Sequence, residues 1–157
     1  MSTGIIAARY GRALLKLVTG TGRGRQVYDQ VQALMDNPQT PPEPLEDDLV
    51  KFIALLSSNG RLDEVRYIFN SFLRQYREAN GIRKIHLKTV VPSPELEDRI
   101  RDVFAGEGSE LILSTEVDSD LIGGFVLQVD DRVLDASVSR QLEIIRNQLI
   151  EKTNRIV

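Results

Sequence analysis

The sequence predicts an α+β fold, in which an N-terminal all-α helical bundle precedes a small α/β domain with a short mixed sheet and a C-terminal helix. Two observations lead to this prediction. Apolar residues recur at helical spacing from Ile5 to about Ala79, and they alternate at strand spacing after Gly81. Because the period changes near Gly81, we expect one domain at residues 1–80 and a second at residues 81–157.

Four helices are predicted in the N-terminal half, and each is followed by residues that interrupt a helix. The helices are expected at Ile5–Val18, Val27–Met35, Leu45–Ser58 and Leu62–Ala79. The interruptions are Gly20-Thr21-Gly22, the proline-rich stretch Asp36–Pro44, Asn59-Gly60 and Asn80-Gly81. The two Asn-Gly pairs favour a left-handed residue directly after a helix, which is a common way for a helix to end.

Four strands and two helices are predicted in the C-terminal half. The strands are expected at Ile85–Val91, Leu111–Val117, Phe125–Val129 and Arg132–Asp135, the last two joined by an Asp130-Asp131 turn. A short helix begins at Pro94, with an apolar face of Leu96, Ile100, Val103 and Phe104. The last helix begins near Ser137, and its expected buried stripe is Val138, Leu142, Ile145 and Leu149.

The composition narrows the classes of function. The chain has no cysteine, which excludes disulfides, thiolate metal sites and a cysteine nucleophile. A net charge of −3 argues against a nucleic-acid-binding protein, which normally carries a basic excess. We also see no apolar stretch long enough for a signal peptide or a direct membrane span, so any membrane association is expected to come through a partner.

The first helix has an apolar arc wider than half of its circumference, with Arg9, Arg12 and Lys16 on one basic strip. One interpretation is a central bundle helix that is buried on several sides. The other is a helix that leaves one edge open as a groove for a partner helix. In that second interpretation Gly11 and Ala13 permit close approach of the partner.

No arrangement of catalytic or ligand-binding residues emerges from the sequence. The glycines of Gly20–Gly24 lack the Gly-Lys-Ser/Thr pattern of a phosphate loop, and the acidic residues between Asp118 and Asp135 do not have the spacing of a calcium loop. His86, the single histidine, is expected on the polar face of a strand without a neighbouring acid. We therefore expect no catalytic residue, no metal site and no cofactor.

Three ordered segments resemble the delta subunit family of F-type ATP synthase, which is related to the mitochondrial oligomycin-sensitivity-conferring protein. They are Ala7–Leu14, Ser58–Leu62 and the longest one, Glu116–Val129 followed by Arg132–Val138. The chain departs from the family at Asp36–Pro44, which replaces a longer stretch, so we expect fewer helices in the bundle. Ala136 stands where the family usually has glycine, which puts the turn before the last helix in question.

The resemblance implies a non-catalytic stator subunit, part of the peripheral stalk, that links the alpha/beta catalytic head to the b subunit and resists rotor torque during proton-driven ATP synthesis. It implies two partners, the N-terminal helices of the alpha subunits and the C-terminal end of the b subunit. It also implies a peripheral location on the cytoplasmic face of the bacterial inner membrane.

The resemblance and the helix patterns together suggest two sets of site residues. We expect the groove for the alpha helix to involve Tyr10, Ala13, Leu14 and Leu17 of the first helix, with Lys51 and Leu55 of the third. On the side of the b subunit, Asp118, Gly123, Gly124 and Asp135 are expected to act in partner binding or in the local structure. A small RNA-binding or adaptor module and a small enzyme are the alternatives, although the acidic balance and the lack of stacking aromatics on the strands disfavour RNA.

Overall fold

The computed structural model describes residues 3–106 and 109–154, with the side chains of residues 152–154 not included. The chain forms two compact units, Met1–Asn80 and Gly81–Val157. The outermost residues of the two predicted domains, 1–2 and 155–157, lie outside the described part of the chain, as do residues 107–108. Each unit has its own apolar core.

The N-terminal unit consists of four α-helices within residues 3–80. They are α1 (Thr3–Thr21), α2 (Gly24–Asp36), α3 (Asp47–Ser58) and α4 (Val65–Asn80), with a single 3-10 turn at Leu62–Glu64 before α4. Gly60 and Gly81 have φ angles of 63° and 65°, which confirms the left-handed positions that the Asn-Gly pairs predicted. The fourth helix begins at Val65, three residues after the predicted Leu62, and Leu62 lies in the 3-10 turn, where it is 46% exposed.

The core of this unit is built mainly from aliphatic side chains, with phenylalanines and tyrosines among its buried members. Its fully buried members are Leu14, Val18, Val27, Val31, Leu49, Leu56, Ile68 and Phe72. Each such side chain contributes about 1.5–3 kcal/mol when it leaves water. Helices α1 and α4 approach closely at Gly11, where a Cβ atom would lie 2.9 Å from the backbone nitrogen of Phe72 in α4. Gly11 therefore permits close packing inside the bundle, and its assignment to the approach of a partner helix is wrong.

The C-terminal unit contains a mixed sheet of four strands, two α-helices and a 3-10 turn among the described residues. The elements are β1 (Ile82–Thr89), α5 (Pro94–Phe104), β2 (Glu110–Val117), the 3-10 turn Ser119–Leu121, β3 (Phe125–Val129), β4 (Arg132–Asp135) and α6 (Val138–Asn154). The strand order is β2-β1-β3-β4, with β1 and β2 parallel and the other pairs antiparallel. This arrangement confirms the predicted fold class.

One face of this sheet carries the second core, which is formed by Ile85, Leu87, Leu127 and Ile100 of α5. Leu96 and Phe104 of α5 pack beside them, so the helix buries a narrow stripe at i, i+4 and i+8. Val103 was predicted on this face but is 75% exposed, because it lies to one side of that stripe. Strand β1 ends at Thr89, two residues before the predicted Val91, and the sequence continues into Pro92.

Helix α6 differs most from the expectation. Leu142, Ile145 and Leu149 were predicted to be buried, but they are 52%, 52% and 61% exposed. The prediction was wrong because α6 packs on its own unit mainly at the 3-10 turn Ser119–Leu121, which leaves most of its length without a cover from the sheet. Among the described residues, no helix combines the length and the apolar character that a membrane span requires.

Candidate functional site

Helix α1 has one side that is buried against the bundle and a neighbouring flank that is partly exposed. Its buried side is formed by Ile6, Ala7, Gly11, Leu14 and Val18, and it packs chiefly on α4. The neighbouring flank carries Tyr10, Ala13 and Leu17, which are spaced three and four residues apart and so lie in one row along the helix. Tyr10 is half-buried, whereas Ala13 is exposed and Leu17 is 40% exposed.

Helix α3 runs antiparallel to this flank and is joined to it at both ends. At one end, Thr21 donates a hydrogen bond of 2.7 Å from its hydroxyl to the carboxylate of Asp48. At the other end, the side-chain amide of Asn59 donates to the hydroxyl of Tyr10 at 3.3 Å. The Tyr10 ring also meets Phe52 edge-on, with 6.4 Å between the ring centroids. These contacts hold α1 and α3 side by side at a defined distance.

We use the name α1–α3 groove for the surface along the junction of the two helices, and we define it by Tyr10, Ala13 and Leu17 on α1 and by Lys51 and Leu55 on α3. From Tyr10 to Thr21, a rise of about 1.5 Å per residue gives a length of about 16 Å. Leu55 is 48% exposed on the opposite wall. A cleft of 320 Å³ opens at the Tyr10 end of the groove, and it is lined by Ile6, Arg9, Tyr10, Ala13 and Arg61.

Five of the six predicted groove residues, all but Leu14, are at least partly exposed on α1 and α3, and their role in binding a partner stays a prediction. Leu14 is the exception, because it is completely buried in the bundle and cannot contact a partner with its side chain. We therefore assign Leu14 to the core of the bundle and no longer to the groove. Sequence reasoning missed Asn59 and Arg61, although both lie in the segment Ser58–Leu62 that carried part of the family resemblance.

The glycines predicted on the other unit lie at a tight contact with the chain just before α6. Gly124 has a φ angle of 73°, and a Cβ atom there would collide with the carbonyl oxygen of Ala136 and lie 3.1 Å from the Cα atom of Ser137. At Gly123 a Cβ atom would lie 3.0 Å from a methyl group of Val138, whose backbone N–H donates to the Gly123 carbonyl at 3.0 Å. Both glycines therefore serve the local structure by letting the start of α6 approach β3.

Asp135 and Asp118 organise the same region through hydrogen bonds that their carboxylates accept. The Asp135 carboxylate accepts a 2.6 Å hydrogen bond from the Ser137 hydroxyl and a 3.0 Å bond from the Ser137 N–H. Those two bonds, the hydroxyl first, lower the pKa of Asp135 below its ordinary value. Asp118 caps the 3-10 turn by accepting from the N–H of Asp120 at 3.0 Å. Gly123, Gly124 and Asp135 come together around the buried Ser137, and Asp118 stabilises the turn on which α6 packs.

His86 has an acidic neighbour, contrary to the sequence-based expectation. Its Nε2 lies 2.9 Å from Glu116 and its Nδ1 lies 2.8 Å from the Ser114 hydroxyl, both on the adjacent strand β2. Lys88 also pairs with Glu116, at 3.2 Å. Hydrogen bonds from His86 and then Lys88 lower the pKa of Glu116. This cluster links the two parallel strands on one face, and we assign it to the stability of the sheet.

Comparison with known proteins gives consistent matches to one family. The family model described as "ATP synthase delta (OSCP) subunit" matches residues 39–149. The "ATP synthase subunit delta" of Phocaeicola vulgatus is 27% identical over all of both chains. The protein of the same name from Natranaerobius thermophilus is 35% identical over 69% of this chain and 62% of its own.

A structural relative agrees with the fold. A chain from the mitochondrial ATP synthase hexamer of Toxoplasma gondii superposes with a TM-score of 0.61, covering 92% of this chain and 97% of that one. Its sequence identity is 18%, so this likeness concerns the fold alone. With the family model matching most of the chain, this protein belongs to the ATP synthase delta (OSCP) subunit family and is a component of the peripheral stalk of F-type ATP synthase.

Proposed function

We propose that this chain is a non-catalytic stator link between the alpha/beta head and the b subunit, and that it resists rotor torque during ATP synthesis. In this proposal the N-terminal unit binds the N-terminal helix of an alpha subunit, and the C-terminal unit binds the C-terminal end of b. The complex would carry the chain as a peripheral component on the cytoplasmic face of the bacterial inner membrane.

The α1–α3 groove is the observation that carries the proposal. It has apolar walls at Leu17 and Leu55 that the bundle leaves about half exposed, and both of its ends are held by hydrogen bonds. A groove that is already formed reduces the ordering cost when a helix binds, because its walls need not rearrange. A length of about 16 Å accommodates three turns of an amphipathic helix, with anchors at i, i+3 or i+4, and i+7.

The area available is consistent with a modest interface. A single helix lying in such a groove buries an area at the lower limit of standard interfaces, about 1,200 Å² in total. Helix binding of this kind depends on a few central side chains, and Ala13 lies at the middle of the α1 row. Its small side chain permits the backbone of a bound helix to come close to α1.

Support for the second partner comes from α6. Its exposed stripe of Leu142, Ile145 and Leu149 repeats at i, i+3 and i+7, which is the pattern of a helix that packs on another helix. The Gly123-Gly124 turn and the Asp135–Ser137 hydrogen bonds orient the first turn of α6. We propose that the stripe on α6 receives the b subunit, and that the four predicted residues at its base position it.

The groove can be tested by placing a charge in its wall. We expect Ala13→Asp to abolish binding of a synthetic alpha-subunit N-terminal peptide in isothermal titration calorimetry, since the carboxylate would be desolvated against the apolar peptide face. Ala54→Asp is the matched control, because Ala54 is also exposed but lies on the side of α3 away from α1. Both variants should keep a cooperative melt by circular dichroism. Unchanged affinity of Ala13→Asp would rule out this groove.

The α6 surface can be tested in the assembled complex. Ile145→Asp places a charge in the apolar stripe, whereas Asn147→Asp adds the same charge on the opposite side of the helix. We expect Ile145→Asp to lose co-purification with b from native membranes and Asn147→Asp to retain it. Normal recovery of b with Ile145→Asp contradicts this part of the proposal.

A further inference from the structure

The rim of the α1–α3 groove is basic, although the chain as a whole has a net charge of −3. Arg9 and Lys16 stand on the outer edge of the α1 row, at helical spacing beside Ala13 and Leu17. On the other side, Lys51 stands beside Leu55, and Arg61 lines the cleft at the Tyr10 end. Cations therefore flank the apolar walls on both sides.

Acidic groups offset these cations only in part, and one of them is Asp47, which is exposed on α3 one turn before Lys51. Arg61 pairs with Glu64 at 3.3 Å, but its side chain remains 41% exposed. Asp48 is buried at the far end of the groove, where its carboxylate accepts the hydrogen bond from Thr21. The rim consequently keeps a positive excess, and a cleft with one sign of charge and apolar walls attracts a partner of the opposite sign.

We infer that the helix bound in the α1–α3 groove is acidic on both sides of its apolar stripe, and that Arg9, Lys16, Lys51 and Arg61 select it by charge. This inference rests on the proposed function, because it describes the alpha-subunit helix that the groove receives. The apolar walls favour a protein helix over an anion without an apolar face, since Leu17 and Leu55 would stay exposed beside a phosphate chain. Rim charges act mainly on the association rate and on partner choice.

The test uses the full-length chain and two synthetic peptides. The first has the N-terminal sequence of the alpha subunit from the same genome, and the second has every Asp and Glu of that peptide changed to Asn and Gln. A variant with Arg9, Lys16, Lys51 and Arg61 all changed to Gln should bind the native peptide about tenfold more weakly at low salt, with most of the loss in the association rate. Its affinity should also lose most of its dependence on salt.

Single variants and a matched control keep the test interpretable if the fourfold variant fails to fold. Arg9→Gln and Lys51→Gln, on opposite rims, should each weaken binding about two- to threefold. Arg74→Gln removes an exposed cation on α4, outside the groove, and should leave affinity unchanged. The unaltered chain should bind the neutralised peptide about as weakly as the fourfold variant binds the native one.

Several results would overturn the inference. One is a native alpha peptide without acidic residues beside its apolar stripe, and another is a neutralised peptide that binds as tightly as the native one. Losses in the rim variants no larger than that of Arg74→Gln would count equally against it, as would salt-dependent binding of single-stranded RNA that the rim variants abolish. If the unaltered chain binds neither peptide, the groove assignment itself fails and the inference fails with it.

Discussion

Replacing Gly124 with alanine adds a single methyl group and should strongly lower the free energy of unfolding of the C-terminal unit. The φ angle of 73° at Gly124 lies in the left-handed region, and a Cβ atom would collide with the Ala136 carbonyl oxygen, which belongs to the backbone and cannot rotate away. Any shift of Ala136 also strains the 2.9 Å hydrogen bond from its N–H to the carbonyl of Phe125. Gly124→Ala therefore disturbs the base of α6 through a single methyl group.

The expected loss has two parts. A non-glycine residue in the left-handed conformation costs about 1–2 kcal/mol, and forcing a methyl group into an occupied site costs about 1–3 kcal/mol more. We therefore expect Gly124→Ala to lower the free energy of unfolding by about 2–5 kcal/mol. Gly60 separates the two parts, because its φ angle of 63° is similar but nothing lies within 4 Å of its Cβ position. Gly60→Ala should accordingly cost about 1–2 kcal/mol.

Native-state amide exchange by NMR measures both variants in the full chain, because core amides report the opening free energy of each unit separately. Leu87 and Leu127 report the unit that contains Gly124, and Leu56 reports the unit that contains Gly60. If Gly124→Ala destabilises its unit no more than Gly60→Ala destabilises the other, the collision with Ala136 is not a real constraint.

Three further predictions concern two pairs of neighbouring residues, Leu14 with Leu17 and Asp135 with Ser137. Leu14→Ala should lower the free energy of unfolding by about 2–5 kcal/mol in urea denaturation, whereas Leu17→Ala should change it by less than about 0.5 kcal/mol and weaken alpha-peptide binding instead. Ser137→Ala should raise the pKa of Asp135 in an NMR titration, because the hydroxyl donor is lost. Because folding lowers the pKa of Asp135, its ionised carboxylate stabilises the folded chain at pH values above its ordinary pKa of 3.8. This stabilisation is lost as the pH falls through the lowered pKa of the folded state. Asp135→Asn should therefore destabilise the chain at neutral pH and have little effect in strong acid, and equal losses at both pH values would contradict this.

Much of the secondary structure could be predicted from local sequence. Strands β3 and β4 have the bounds that alternation predicted, and the Asn-Gly pairs end α3 and α4 as expected. These features depend on residues that are close in the chain, where spacing and the conformational freedom of glycine suffice. The family resemblance likewise rested on short ordered segments, and the comparisons confirm it.

The candidate site was only partly predictable for a different reason. The wide apolar arc of α1 showed that one edge could stay open, but it did not show that Leu14 lies inside the bundle and Leu17 outside. The contacts that align α1 with α3 join residues 27 and 49 positions apart, Thr21 with Asp48 and Tyr10 with Asn59. A periodic pattern carries no information on such pairs.

Local pattern alone led to the expectations about individual helices and strands, since spacing and glycine freedom act within a few residues of the chain. Tertiary packing determines which part of the apolar arc of α1 is buried. It also brings Gly124 against the backbone of Ala136 and His86 within hydrogen-bond distance of Glu116. It also leaves the stripe on α6 exposed, although the periodicity of Leu142, Ile145 and Leu149 is the same for a buried and an exposed helix. An amphipathic stripe reports that a helix has an apolar face, and only the neighbouring elements determine whether the chain itself covers that face.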